Sequence, residues 1–144
     1  MKNKLAICFV LAVGFLMVGG IAFAHHGNVA YDMSKRVVLK NATVTKFAWA
    51  NPHCILSFDV KDDKGNVVHW TGETGSPAAV GPLGWFRDVM KPGDVITVYM
   101  WQSKAGTPVG IVNKFVTADG KEYADALGGT QQDRDEAERK RGEK

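Results

Sequence analysis

Residues 53–74 read HCILSFDVKDDKGNVVHWTGET, and their alternation decides the fold. Successive strand side chains point to opposite faces. Cys54, Leu56, Phe58 and Val60 therefore share one face, and His53, Ile55, Ser57 and Asp59 share the other. After the polar run Asp62 to Asn66, Val68 and Trp70 form a second apolar set. Joining the two apolar faces requires Val60 opposite Val68, Phe58 opposite Trp70 and Leu56 opposite Gly72. A slip of one residue turns Trp70 toward water. The stretch is thus a β-hairpin with a five-residue loop at 62–66, with Asp59 opposite His69 and Ile55 opposite Glu73 on its polar face.

Upstream, Asn51-Pro52 makes a turn, because the residue before proline is held extended and Asn favours turn conformations. Arg36 to Trp49, rich in Val, Thr and aromatic residues, reads as a long first strand bent near Lys40-Asn41. Downstream, Ser76-Pro77 starts a helix, the serine hydroxyl capping free amides and proline taking the first helical position. Gly81-Pro82 cuts that helix short, and a second helical turn is expected over Trp85 to Met90. Lys91-Pro92-Gly93-Asp94 turns into strands Val95–Trp101 and Val109–Thr117, joined by the loop Ser103–Pro108. Asp119-Gly120 leads into a last short segment, Lys121–Ala124.

The order is three strands, a short helix, then two strands. A mainly β, five-stranded OB-like Greek-key barrel is the simplest closed arrangement with that order. A twisted open sheet with one covering helix is the alternative. Ligands of OB barrels usually lie on the face of strands two and three and on the loops joining strands one to two and four to five. The expected organisation is a signal peptide at 1–24, an N-terminal arm at 25–35, the OB-like domain at 36–125 and a polar tail at 126–144. Residues 133–144 hold five acids and five bases, which suits a disordered tail or a frayed helix.

Lys2 and Lys4, the apolar run Leu5 to Val18, the Gly19-Gly20 break and Ala22-Phe23-Ala24 form the pattern of a cleaved export signal, with cleavage before His25. The rival is an uncleaved anchor, since Leu5 to Phe23 is just long enough to span a bilayer. Cleavage places the mature chain in the periplasm or outside the cell, with no membrane attachment. Without Lys2 and Lys4 the chain has 16 basic and 15 acidic residues, a net charge of +1. That balance carries no basic stripe for nucleic acid. Cys8 leaves with the signal, so Cys54 is alone and no intramolecular disulfide can form.

Chemistry-bearing residues are few. There is no G-x-S-x-G, no Gly-rich phosphate loop and no C-x-x-C. His53 and Cys54 point to opposite faces, so they do not share a metal site. Cys54 reads as a small core residue. Cleavage before His25 would expose an α-amine and an imidazole on one residue, with His26 beside it. Such a pair can close a chelate ring on Cu(II) or Ni(II), ions that favour nitrogen donors in a near-square plane. His53 is the third residue of this metal set if the arm folds back. The plainer readings are that His25-His26 is polar sequence past a cleavage site and that His53 bonds to backbone at a strand end. Trp49, Trp70, Trp85 and Trp101 read as core or rim residues. Trp101, next to the loop between the last two long strands, joins Pro52 as a candidate ligand face.

Ala24-His25-His26, Trp49-Ala50-Asn51-Pro52-His53, Gly75-Ser76-Pro77, Gly84-Trp85, Lys91-Pro92-Gly93-Asp94 and Asp119-Gly120 together resemble a family of small exported bacterial proteins known as domain of unknown function six-one-five-two. They span about residues 25–123, nearly the whole mature domain. The resemblance implies a periplasmic or secreted Gram-negative protein and brings no established activity. It would map recurring family histidines onto His25, His26 and His53. This chain departs from the family pattern at Gly27, at Cys54 and at Val80-Gly81-Pro82, which breaks a longer helix.

Two functions remain in view. The first is a non-enzymatic exported module that binds copper through His25 and His26, assisted by His53. Its binding should be proton-linked, since an amine near pKa 7.7 and imidazoles near 6.5 must lose protons to bind metal. The second is an adaptor or ligand-binding module without metal, meeting a periplasmic protein or small ligand through Pro52, Trp101 and the Ser103–Pro108 loop. Polysaccharide-cleaving copper enzymes also begin with histidine, but so short a chain leaves little room for their substrate surface.

Overall fold

The computed structural model describes residues 29–125. The expected signal peptide, His25, His26 and the 126–144 tail lie outside the described residues. Six strands follow one another as β1 (Tyr31–Ala48), β2 (Ile55–Lys61), β3 (Val67–Glu73), β4 (Val95–Ser103), β5 (Val109–Thr117) and β6 (Glu122–Ala124). Between β3 and β4 lie helix α1 (Pro77–Val80) and a 3-10 turn, Gly81–Leu83. The sheet order is β3-β2-β1-β4-β5-β6, and a parallel β3–β5 pairing closes it. This is the five-stranded OB-like barrel, with β6 added to the outer end of β5. The closing pair excludes the open-sheet alternative.

The β2–β3 register follows the apolar alternation, with Leu56, Phe58 and Val60 opposite Gly72, Trp70 and Val68. Phe58 and Trp70 stack inside at 6.4 Å with ring planes 10° apart. On the outer face Asp59 meets His69, Oδ1 to Nδ1, at 2.6 Å.

β1 serves both halves of the barrel and needs two irregularities to do so. One extra residue between Leu39 and Ala42 faces the two-residue step Val98–Ile96, and there Asn41 takes a positive φ of 54°. A second bulge lies between Val44 and Lys46 against β2. Bulges raise local twist and bend a strand. Here they turn β1 from β4 to β2.

β1 begins at Tyr31, five residues before the strand start expected from sequence. Tyr31 pairs with Ser103, and the register breaks before the next pair, Arg36 with Trp101. Residues 32–35 bow out, with Asp32 accepting from the Ser34 amide and hydroxyl. That break erases the two-residue period, so the segment resembles an arm.

Barrel closure depends on a pair of glycines. Gly72 on β3 and Gly110 on β5 are register partners. A Cβ on Gly110 would run into the Trp101 carbonyl and lie 2.5 Å from Met100 Cε, and one on Gly72 would lie 2.5 Å from Val112 Cγ2. Side chains at the seam would hold the strands apart.

One end of the core is covered by the segment after β3. Ser76 caps α1 by accepting the Ala79 amide at 3.3 Å, with Pro77 at the first helical position. The helix then ends at Gly81-Pro82 as expected. The second helical turn expected over Trp85–Met90 does not form. Gly84, at φ 91°, leaves the 3-10 turn in the left-handed region. The next residues form only the single turn from the Val89 amide to the Phe86 carbonyl. Lys91 precedes Pro92 and disfavours helix, so too few residues remain to repay nucleation. Tertiary packing fixes the segment instead. Trp85, Val89 and Met90 are buried in the core. Trp85 meets Phe115 edge-on at 4.9 Å, and its indole N–H donates to the Ala124 carbonyl at 2.7 Å.

Candidate metal-binding face

The hairpin ladder continues past the ends of β2 and β3. The Cys54 amide donates to the Gly75 carbonyl at 3.2 Å, and the Thr74 amide donates to the Cys54 carbonyl at 3.0 Å. This extension places His53 beside Glu73 and Thr74. His53 Nδ1 lies 3.3 Å from the Thr74 carbonyl oxygen, and Nε2 lies 3.4 Å from Glu73 Oε1. The two side chains are 38% and 35% exposed. A neutral ring donating from Nδ1 carries its lone pair on Nε2. One nitrogen is thus held by backbone, while the other is turned toward a carboxylate and within reach of solvent. A backbone carbonyl in that position is the usual partner that orients a metal-binding histidine.

Cys54 points the opposite way and is fully buried. Burial pushes its thiol pKa up and the negative charge of Asp125 adds to that, while hydrogen bonding with the Ala50 backbone and the Thr74 side chain pulls it down. His53 and Cys54 therefore form no joint site, as strand alternation implies.

Beneath them lies a group that periodicity does not reveal. The Asp125 carboxylate, 1% exposed, accepts the Gly75 amide at 3.0 and 3.2 Å, and its own amide donates to the Asn113 carbonyl at 2.8 Å. It fixes the Thr74-Gly75 turn whose carbonyl holds His53. Asp125 follows a three-residue strand at the edge of the polar tail, where sequence alone offers no signal of burial.

The other candidate residues are placed differently. Pro52 is exposed, in the loop between β1 and β2, and follows a cis peptide bond. Trp101 is only 3% exposed. It alternates with the core residue Met100 and so stands on the outer wall of the barrel, where Arg36 Cζ lies 5.3 Å from its ring centre. Trp101 thus presents almost no surface to a ligand. Beside the β4–β5 loop is an open cavity of about 310 Å³ lined by Asp32, Lys35, Gln102 and Lys104.

Burial raises the Tyr31 phenol pKa, and the nearby Glu73 charge raises it further. The first residue of β1 therefore lies within electrostatic reach of the carboxylate beside His53. His25 and His26 lie outside the described residues.

Among the described residues no group of three or more His, Cys, Asp or Glu side chains is gathered to hold a metal ion. Nor is any helix among them long and apolar enough to cross a membrane. No curated protein and no solved structure matches the chain. A family model does match, over residues 14–113 and thus more than half of the chain. The protein belongs to the family of unknown function DUF6152.

Proposed function

We propose that this protein is an exported, non-enzymatic barrel that binds a transition metal, copper foremost, through His25 and His26 at a processed N terminus, assisted by His53. The observation that carries the reading is the state of the His53 ring. Its Nδ1 rests on the Thr74 carbonyl and its Nε2 remains on an open, carboxylate-flanked side. Tyr31 at the start of β1 lies within electrostatic reach of that same carboxylate. Only residues 26–30 separate His25 from Tyr31. At about 3.3–3.6 Å per extended residue they reach up to roughly 20 Å from Tyr31. The metal-free adaptor reading has less support, because Trp101 is covered and only Pro52 and the shallow cavity remain to it.

The test begins with mass spectrometry of protein exported from a Gram-negative host, which should give a chain starting at His25. Titrating that chain with Cu(II) should reveal one tight site that acetylation of the α-amine abolishes. Retention of residues 1–24, or a site indifferent to the amine, removes this function.

A further inference from the structure

We propose that the open cavity between the start of β1 and the β4–β5 loop binds a small carboxylic acid with a hydroxyl or ammonium group beside its acid, the chemistry shared by α-hydroxy and α-amino acids. The site is independent of the metal-binding reading, and it takes a small solute rather than the protein partner of an adaptor.

The register of β1 makes the cavity. Between the pairs Tyr31–Ser103 and Arg36–Trp101, residues 32–35 of β1 lie against Gln102 alone on β4. The surplus bows outward and leaves about 310 Å³, lined by Asp32 and Lys35 on one side and by Gln102 and Lys104 on the other. Small-molecule sites begin at about 300 Å³.

The two walls are tied together. The Lys104 amide donates to the Ala30 carbonyl at 2.9 Å, joining the end of β4 to the residue before β1. The Gly106 amide donates to the Ser103 carbonyl at 2.9 Å, and the Ala105 amide to the Ser103 hydroxyl at 3.3 Å. Gln102 Nε2 donates to the Gly106 and Thr107 carbonyls at 3.1 and 3.0 Å. Both amide hydrogens of Gln102 are thereby committed, and its side chain retains an acceptor, Oε1.

Charge selects the ligand. Bonds from the Ser34 hydroxyl and amide hold Asp32 below the usual carboxylate pKa, and the nearby Lys104 and Lys35 charges lower it further. Ser34 occupies Oδ1, which leaves Oδ2 to accept. The ion pairs among the described residues are His53–Glu73, His69–Asp59 and Lys114–Glu122, so neither Lys35 nor Lys104 is in one. The cavity thus sets two cations beside two acceptors. A bare anion would suit the lysines yet meet the Asp32 charge, and a bare amine would suit Asp32 yet meet the lysines. A carboxylate with a donor on the adjacent carbon satisfies both sets at once.

The test is proton–nitrogen NMR of the exported, metal-free protein at neutral pH and physiological salt, with lactate and alanine as probes and acetate as the acid lacking the donor. Saturable shifts should be confined to the amides of residues 32–37 and 102–106. Lactate or alanine should bind about 10-fold more tightly than acetate, and the better of the two tells hydroxyl from ammonium as the donor. Lys35→Gln and Lys104→Gln should each weaken binding about 5-fold or more, either one serving if the other fails to fold. Asp32→Asn, which keeps an acceptor for Ser34, should remove the advantage over acetate. Equal binding of acetate would reduce the cavity to a patch that attracts anions and overturn the proposal. Shifts centred elsewhere, or none up to about 100 mM probe, would overturn it as well.

Discussion

Alanine at Gly110 should be the most damaging single-methyl insertion in the barrel. The added Cβ would strike the Trp101 carbonyl, lie 2.5 Å from Met100 Cε and stand 3.1 Å from the Trp101 carbonyl carbon. A methionine end can rotate away, but a strand carbonyl cannot. Relief requires β4 and β5 to separate where Gln102 pairs with Gly110, and it disturbs the Gly72–Gly110 closure on the other side. Overpacking of a core usually costs about 1–3 kcal/mol. Because the obstacle here is backbone, a loss of about 3 kcal/mol or more is expected, a large share of the roughly 5–15 kcal/mol that holds a domain folded. Gly72→Ala, opposed mainly by the Val112 and Met100 side chains, should cost less, about 1–2 kcal/mol. Gly81→Ala meets nothing within 4 Å and has an ordinary φ of −54°, so it should be neutral or stabilising by up to about 1 kcal/mol. Urea denaturation reads all three as midpoint shifts at constant slope. A Gly110→Ala protein within about 0.5 kcal/mol of wild type would refute the account of closure.

Removing the Asp125 carboxylate with Asp125→Ala leaves the Gly75 amide without its acceptor and should cost about 1–3 kcal/mol in a denaturation series; an unchanged midpoint would deny Asp125 its clasp role. The Cys54 thiol, buried and pushed toward the neutral form, should react with an aromatic disulfide reagent only as the protein unfolds; rapid labelling of the native protein at neutral pH would contradict its placement. Asp62 is held below the usual carboxylate pKa chiefly by the Asn66 side chain and amide. A depressed folded pKa stabilises above the unfolded value, near 3.9, and the contribution disappears as pH falls through the folded one. Asp62→Asn should therefore flatten the acid limb of stability below about pH 4, and an unaltered limb would count against the loop bonds.

The fold was legible where burial imposes a period of two. In β2 and β3, facing apolar sets admit one register, and the structure adopts it from Ile55–Glu73 to Val60–Val68. Ser76-Pro77 and Gly81-Pro82 marked the helix ends, because capping and proline geometry are local. Tyr31–Lys35 was hidden by its register break. Trp85–Met90 has spacing compatible with a helix, yet tertiary contacts to Phe115 and Ala124 decide its path. Of the site, strand register already made Glu73 the nearest carboxylate to His53 on the outer face. The Thr74 carbonyl and the Asp125 clasp depend on the course of the chain beyond the strands, which alternation does not encode. Arg36, the register neighbour of Trp101 on β1, lies over its ring, a contact no local pattern announces.

The central claim, that a processed N terminus and the barrel histidine share one ion, is tested most directly by the Cu(II) dissociation constant of the chain beginning at His25, compared with that of its His53→Ala variant. The account predicts one equivalent bound tightly by the wild type and at least 10-fold more weakly by the variant, with no change in metal-free stability beyond about 1 kcal/mol. Equal affinities in the two proteins, or no tight equivalent in either, would contradict it.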